Sequence, residues 1–145
     1  MISAAGVRIA AADVPTVGQR VADFELPVVG GDGKTAKLSD ALKKGPVAVI
    51  VLRGFPGYQC PLCSRQYGEL RNRAAAFGKS ASQVFLIYPG PMNSLETRAK
   101  QFAGQASIPA PLTLVRDDDM KMVSNWGLRW NGRNETAYPS AFVVN

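Results

Sequence analysis

The chain has 145 residues, of which 46% are hydrophobic and 19% charged, and it carries a formal net charge of +6. A chain of this length suggests one domain, and it can bury enough apolar surface to fold without a disulfide or a metal ion. It contains no histidine, which excludes Ser-His-Asp and Cys-His catalysis and every histidine-based zinc or haem site. The basic residues are scattered without a nucleic-acid motif, so the sequence predicts no nucleic-acid partner.

The first residues differ in composition from the rest of the chain. Residues 1–16 are rich in alanine and are expected to form a flexible lead-in or the remnant of an export signal. Residues 17–145 are expected to form the functional domain. No apolar stretch of about 18 residues occurs, so the sequence predicts no transmembrane helix and no membrane partner.

The first predicted elements are a hairpin and a short helix. Two extended segments, Ala22–Leu26 and Thr35–Leu38, flank a Gly-Gly-Asp-Gly stretch that supplies the positive φ of a turn. Ser39 is expected to cap a helix over Asp40–Lys44, which ends at a Gly-Pro pair.

A buried strand followed by a helix comes next. The continuous apolar run Val47–Leu52 is typical of a strand covered on both faces. After a loop over Arg53–Gln59, apolar side chains recur at the 4-3-4-3 spacing of one helix face: Cys63, Tyr67, Leu70, Ala74 and Phe77. A Cys-Pro-Leu-Cys sequence lies where the strand gives way to this helix.

Strands and helices continue to alternate toward the end of the chain. The predicted elements are the strand Val84–Tyr88, a helix from Leu95 to Ala103 with an Asn93–Glu96 capping box, the strand Leu112–Val115, the helix Asp117–Asn125 and the strand Ser140–Val144. Such alternation predicts an α/β layer fold, in which active loops lie at the carboxyl ends of the strands. We expect Val47–Leu52, Val84–Tyr88 and Ser140–Val144 to be neighbouring strands of its central sheet. The two cysteines occupy that position.

Three interpretations of Cys60 and Cys63 are open. A zinc site within the chain needs further Cys or His ligands, which the sequence lacks, so only an intermolecular site remains, and no metal or other cofactor is predicted. Buried cysteines can also act as small hydrophobic residues. The position at a strand–helix junction favours a redox-active pair, because a helix N-terminus stabilises a thiolate.

The expected helix start assigns the two thiols different roles. Cys60 would be the N-cap and Pro61 the first helical residue, where its missing N–H costs nothing. Cys60 is therefore expected to be the exposed, acidic thiol that attacks, and to lie within reach of Cys63. Cys63 is expected to be the more buried, resolving thiol.

These residues resemble a known family. The stretch from Arg53 to Cys63, with Val17–Pro27 at the start and Ala137–Asn145 at the end, is similar to redoxins of the AhpC/TSA peroxiredoxin-like superfamily. The resemblance implies a thioredoxin-like α/β fold, with a central mixed sheet flanked by helices. It also implies that the chain stops before the usual final strand and helix, so that Ser140–Val144 would have an unpaired outer edge or pair with a strand of another chain.

Two departures from the peroxiredoxin pattern bear on the reaction. Pro56 and Cys63 have the spacing of the peroxiredoxin proline and peroxidatic cysteine, but Cys60 stands in the threonine position. Pro139 stands where peroxiredoxins place an arginine. By resemblance to thioredoxins, the Tyr138–Pro139 bond is expected to be cis and to lie beside the dithiol.

Other residues are candidates for supporting roles. Arg53 could replace the missing arginine or remain a solvated loop residue, and Tyr58 could bind substrate or shield the dithiol. Trp126, Arg129 and Trp130 are candidates for the rim of the site, although packing is the favoured interpretation of the aromatic residues.

The sequence favours a dithiol–disulfide oxidoreductase and leaves two alternatives open, a thiol peroxidase and a non-catalytic redox sensor. The implied partners are a disulfide-bearing protein or a hydroperoxide, with a thioredoxin-type or glutathione reductant. A homodimer is also an option. A dithiol of this kind suits the cytoplasm or an exported, periplasmic location, and the sequence does not discriminate between them.

Overall fold

The computed structural model describes residues 13–145, so the expected lead-in over residues 1–16 lies mostly outside the described residues. Residues 13–16 belong to no helix or strand. The strands are β1 (Glu25–Pro27), β2 (Thr35–Lys37), β3 (Val47–Val51), β4 (Gln83–Gly90), β5 (Leu112–Asp118) and β6 (Ser140–Val144). The helices are α1 (Leu38–Leu42), α2 (Pro61–Asn72), α3 (Ala74–Phe77), α4 (Leu95–Ala103) and α5 (Lys121–Asn125).

The main sheet has the strand order β5-β4-β3-β6. Strand β3 lies parallel to β4 and antiparallel to β6, and its residue Val49 is paired with Phe85 on one side and Phe142 on the other. The prediction that these three strands are neighbours is confirmed. Strands β1 and β2 form a separate antiparallel hairpin. The result is the mixed α/β fold that the family resemblance implies.

The two faces of the sheet carry separate cores because successive residues of a strand point in opposite directions. Val47, Val49 and Val51 pack on one face, together with Trp126 and residues of α1 and α5. Ile50 and Leu52 pack on the other face with both cysteines and residues of α2 and α4. The continuous apolar run of β3 is therefore explained by burial on both faces.

Local capping differs from the sequence prediction in two places. Ser39 does not cap α1, which begins one residue earlier, and its N–H instead donates to the carboxylate of Asp23 at 3.0 Å. Glu96 does not form a capping box, because its carboxylate accepts hydrogen bonds from the N–H of Gly30 at 2.8 Å and from Arg116 at 2.7 Å. In both places a residue distant in the sequence provides the better partner.

Helix α5 starts later than predicted. Asp117 ends up inside β5 rather than in the helix, and it is fully buried. Its carboxylate accepts the N–H groups of Met122 and Val123 at 2.8 and 2.9 Å. Burial raises the pKa of Asp117, and these two hydrogen bonds oppose the rise.

Strand β6 lies at one edge of the main sheet. Within residues 13–145 it pairs with β3 alone, and Val143 remains 78% exposed. The expected unpaired outer edge is therefore present in the described part of the chain. Among these same residues, no helix combines the length and the apolar character that crossing a bilayer requires.

Close contact between two strand ends positions the loop that carries the cysteines. Gly54 follows β3 with φ +67°, and a Cβ atom there would lie only 2.0 Å from the carbonyl oxygen of Pro89 in β4. The N–H of Phe55 donates to that same oxygen at 2.9 Å. The backbone of the loop therefore lies directly against the end of β4, at a distance that only glycine allows.

Candidate active site

The dithiol lies at the start of α2, on the carboxyl side of β3. Cys60 is the N-cap, with extended backbone angles, and Pro61 is the first helical residue, as the sequence predicts. Cys63 follows within the first turn. Both cysteines are free thiols.

Cys60 is not exposed, contrary to the expectation from its N-cap position. Each of the two cysteines is only 4% exposed, and both pack in the core that lies between the sheet and α2. They are reached through a groove of about 470 Å³ that they line together with Leu62 and Gln66 of α2. A reactant must therefore enter the groove to meet the sulfur of Cys60.

The environment of Cys60 favours its thiolate. Burial by itself would raise the pKa of Cys60, but hydrogen bonds from the backbone and thiol of Cys63, the backbone of Leu62 and the guanidinium of Arg53 outweigh it, so that the pKa is lowered. The neutral thiol makes no capping hydrogen bond. The free N–H groups of the helix start thus serve the charged form of the sulfur.

The environment of Cys63 favours its neutral thiol. Burial raises the pKa of Cys63 to about 11, and the adjacent Cys60 contributes to the increase. The backbone N–H groups of Arg53 and Gly54 oppose this rise. Two cysteines two residues apart therefore differ in the direction of their pKa shifts, as an attacking thiol and a resolving thiol require.

An ion pair forms one wall of the groove. Arg53 donates from Nε and Nη2 to the two carboxylate oxygens of Glu135, at 2.8 and 2.6 Å. The carboxylate raises the pKa of Arg53 further, and the side chains are 22% and 14% exposed. The hydroxyl of Thr136 donates to the carbonyl oxygen of Arg53, which fixes the backbone as well. Arg53 is thus a positioned residue of the site rather than a solvated loop residue.

Aromatic rings flank this ion pair. The guanidinium carbon of Arg53 lies 5.3 Å from the ring centre of Tyr58 and 5.9 Å from that of Trp130. Trp130 lines the groove and stacks on Tyr138, with ring centres 5.0 Å apart and planes inclined by 8°. Tyr58 and Tyr138 are about half exposed, at 45% and 49%. Together they form an aromatic rim.

The other rim candidates have structural roles. Trp126 is buried in the core on the opposite face of the sheet, and its Nε1–H donates to the carbonyl oxygen of Ala22 at 2.9 Å. Arg129 donates to the carbonyl oxygens of Glu135 and Thr136 at 2.9 and 2.7 Å, and so it holds the loop before β6 in place.

Pro139 corrects one prediction. It lines the same groove as both cysteines, but the Tyr138–Pro139 bond is trans, and the cis bond of the described chain is Ala110–Pro111. The expected cis bond was wrong, which removes the main sequence-based support for the thioredoxin-like interpretation of the site. Pro56, the remaining proline from the peroxiredoxin spacing, is buried in the loop before α2.

The buried residue Tyr88 holds the loop before Cys60 by a hydrogen bond. The hydroxyl of Tyr88 donates to Oε1 of Gln59 at 2.6 Å, and Nε2 of Gln59 donates to the carbonyl oxygen of Arg98 at 2.7 Å. Burial raises the pKa of Tyr88, so this hydroxyl stays protonated and remains a donor. The residue directly before Cys60 is thereby tied to both β4 and α4.

Sequence reasoning missed Glu135 and Gln66. Gln66 lies one turn beyond Cys63 on the helix, so helical spacing could have placed it at the groove. Glu135 carries no such signal, because 82 positions separate it from Arg53. Only the pairing of β6 with β3 brings the loop that contains Glu135 beside the dithiol.

Fold and site together define a redox protein of the thioredoxin-fold class. The chain belongs to the AhpC/TSA family, which it matches over residues 17–145. It is thus a member of a family of peroxiredoxin-like and thioredoxin-like oxidoreductases. The comparison with curated protein sequences found no match.

Solved structures share this fold at low sequence identity. Peroxidoxin BcpB from Mycobacterium tuberculosis is 22% identical, with a TM-score of 0.65 over 88% of this chain and 77% of that one. A yeast mitochondrial 1-Cys peroxiredoxin is 12% identical, with a TM-score of 0.69 over 91% and 63%. Thioredoxin peroxidase I of Plasmodium yoelii is 18% identical, with a TM-score of 0.60 over 88% and 72%. Likeness at these identities shows the common fold.

Proposed function

We propose that the protein is a dithiol–disulfide oxidoreductase in which Cys60 attacks and Cys63 resolves. The observation that supports this most directly is the contrast between the two thiols at the start of α2. The pKa of Cys60 is lowered, whereas that of Cys63 is raised to about 11. At neutral pH such a pair presents Cys60 as the nucleophile and Cys63 as a protonated resolving thiol.

The reaction proceeds by two thiol–disulfide exchanges. The thiolate of Cys60 attacks one sulfur of a substrate disulfide, and the other substrate sulfur leaves as a thiolate that takes up a proton. Cys63 then loses its proton and attacks Sγ of Cys60, which releases the second substrate sulfur. The substrate gains two electrons, and the protein is left with a Cys60–Cys63 disulfide. A thioredoxin-type dithiol or glutathione returns these two electrons.

Formation of the mixed disulfide would itself activate Cys63. Part of the rise in the pKa of Cys63 comes from the charge and hydrogen bonding of Cys60, after the larger contribution from burial. Both effects of Cys60 disappear once its sulfur is bonded to the substrate. The N–H groups of Arg53 and Gly54 remain, and they stabilise the Cys63 thiolate as it forms.

The groove supplies the remaining roles. We assign Pro139 to the shape of its wall, Pro61 to the start of the helix and Pro56 to the path of the loop. Tyr58 and Tyr138, as parts of the aromatic rim, are proposed to shield the dithiol and contact the substrate.

A second function, hydroperoxide reduction, is favoured by Arg53. In this reaction the Cys60 thiolate attacks a peroxide oxygen, the O–O bond breaks, and the departing oxygen is protonated to an alcohol or water. Cys63 then displaces water from the Cys60 sulfenic acid, which forms the disulfide. The hydrogen bond from the Arg53 guanidinium helps to lower the pKa of Cys60, which supports this reaction because the thiolate is the form that attacks a peroxide. The alternative with Cys63 as the peroxidatic residue is disfavoured by its raised pKa.

Assays of wild type, Cys60→Ser and Cys63→Ser on insulin disulfides and on hydrogen peroxide test both functions. We expect wild type to reduce insulin, Cys63→Ser to accumulate a mixed disulfide, and Cys60→Ser to be inactive. If Cys60→Ser still consumes peroxide near the wild-type rate, the roles are reversed and the protein is a peroxidase that uses Cys63. If wild type turns over neither substrate with a thioredoxin or glutathione system, the sensor interpretation replaces the enzyme.

A further inference from the structure

The charges that line the groove cancel one another. Arg53 and Glu135 are the charged side chains among its lining residues, apart from the Cys60 thiolate itself. Their hydrogen bonds of 2.8 and 2.6 Å form a two-point ion pair. Because both side chains are mostly buried, bulk water and salt weaken this pair less than they weaken a surface pair.

The guanidinium of Arg53 has little surface left for an incoming anion. Glu135 occupies its Nε–Nη2 edge, and the rings of Tyr58 and Trp130 flank it at 5.3 and 5.9 Å. A contact with Cys60 takes up a further part. A carboxylate that enters the groove would therefore meet the Cys60 thiolate and Glu135, without a free cation among the described residues that line it.

From this arrangement we infer that Glu135 determines substrate specificity. Its ion pair with Arg53 prevents anions from binding to the guanidinium, so that the groove favours disulfides whose neighbouring groups are uncharged. The inference rests on the proposed attack by Cys60. It disfavours anionic low-molecular-weight compounds such as glutathione disulfide, which carries several carboxylates, and so, of the two proposed reductants, it favours the thioredoxin-type dithiol over glutathione. It favours a polypeptide whose cysteine is flanked by neutral, apolar residues.

The rim of the groove suits such a polypeptide. Leu62 lines the groove and is 76% exposed, next to the attacking thiol. On the opposite wall stand Pro139 and Trp130, and Trp130 is stacked on the half-exposed Tyr138. Exposed apolar and aromatic side chains around a closed ion pair offer burial of apolar surface rather than charge pairing.

Alkylation of the reduced protein tests the inference without requiring turnover. Iodoacetate is anionic and iodoacetamide is neutral, so the ratio of their rate constants at Cys60 reports the charge of the groove. We expect Glu135→Gln, which keeps the shape but frees the charge of Arg53, to raise this ratio about tenfold over wild type. Glu69→Gln is the matched control, because it makes the same change in net charge at a side chain that is 67% exposed on α2.

A double variant shows whether the change in the alkylation ratio caused by Glu135→Gln acts through Arg53. In the double variant Arg53→Gln/Glu135→Gln, the ratio should return to the wild-type value, because the cation is gone. A ratio for Glu135→Gln within twofold of that for Glu69→Gln would overturn the inference. So would a rise that persists in the double variant.

A measurement on the wild type covers the case in which Glu135→Gln does not fold. Between 0.05 and 0.5 M salt, the wild-type ratio should fall by less than twofold, because the groove presents no open cation. A fall of tenfold would show an available positive charge beside Cys60 and would contradict the inference.

Turnover then extends the test to substrates. Relative to kcat/KM for the neutral bis(2-hydroxyethyl) disulfide, the value for glutathione disulfide should rise about tenfold in Glu135→Gln. An unchanged preference, despite a changed alkylation ratio, would contradict the role of Glu135 in substrate choice. Absence of all disulfide reduction in wild type would instead refute the proposed function, while the alkylation result would still report on the groove.

Discussion

Replacement of Gly54 by alanine should destabilise the protein far more than its one added methyl group suggests. The new Cβ atom would lie 2.0 Å from the carbonyl oxygen of Pro89, and 2.7 and 2.8 Å from Cδ and N of that residue. These atoms belong to β4 and to a proline ring, so neither can rotate away. Ordinary contact begins at 3.4 Å, so the loop must move by at least 1.4 Å.

Three costs add up in this variant. Positive φ at a residue with a Cβ costs about 1–2 kcal/mol. Loss of the hydrogen bond from the N–H of Phe55 to Pro89 costs about 1 kcal/mol. The remaining overpacking costs about 1–3 kcal/mol. We therefore expect the free energy of unfolding to fall by about 4 kcal/mol, and Tm by about 12 °C for a chain of this size.

The same movement should reach the dithiol. The backbone N–H groups of Arg53 and Gly54 lower the pKa of Cys63, in opposition to its burial. If the loop moves outward, this stabilisation weakens and the Cys63 thiolate becomes harder to form. In Gly54→Ala, release of the mixed disulfide should therefore slow even at temperatures where the variant is folded.

Gly57→Ala is the control for the backbone term. Gly57 has φ +127°, at which a side chain is at least as strained as at +67°, but a Cβ atom there would meet nothing within 4 Å. Urea and thermal unfolding of both variants separate the close contact from the dihedral strain. If Gly54→Ala proves no less stable than Gly57→Ala, the close approach of the loop to β4 is refuted.

Two further predictions concern the ionisation of Cys63 and the hydrogen bond between Tyr88 and Gln59. The native thiol of Cys63 holds its proton up to a pKa of about 11, whereas the unfolded thiol releases it near 9.0. As pH rises from about 9 to 11, the reduced wild type should therefore lose about 2 kcal/mol of its free energy of unfolding, and Cys63→Ser should not. Equal losses in urea unfolding of the two proteins would contradict this prediction. Tyr88→Phe should cost about 1 kcal/mol through its lost hydrogen bond to Gln59. Tyr67→Phe should cost nothing, because the buried hydroxyl of Tyr67 has no partner among the described residues. The reverse order in thermal unfolding would refute the assigned hydrogen bonds.

Local signals predicted much of the fold and the position of the dithiol. The apolar run of β3 and the 4-3-4-3 spacing after it place Cys60 at a helix start, and the structure agrees. These features depend on residues close together in the chain, which is why periodicity and capping rules capture them. The central position of β3 follows in the same way from its burial on both faces.

Three features of the site that depend on tertiary packing were not predicted. Cys60 was expected to be exposed, yet it is buried by elements that the local pattern does not show. The cis bond precedes Pro111 rather than Pro139, because surrounding structure selects the isomer of each X–Pro bond. Glu135 gave no signal at all, since its ion pair is with Arg53, which lies 82 positions earlier in the chain.

The separation of 82 positions between Arg53 and Glu135 has a consequence for biosynthesis. A ribosome delivers both cysteines long before it delivers Glu135 and β6. Until then the groove lacks one wall, and β3, the strand that leads into the dithiol, lacks its antiparallel neighbour. In a nascent chain the dithiol therefore lacks this wall, and the selectivity that we propose for the groove can arise only after Glu135 and β6 have packed beside it.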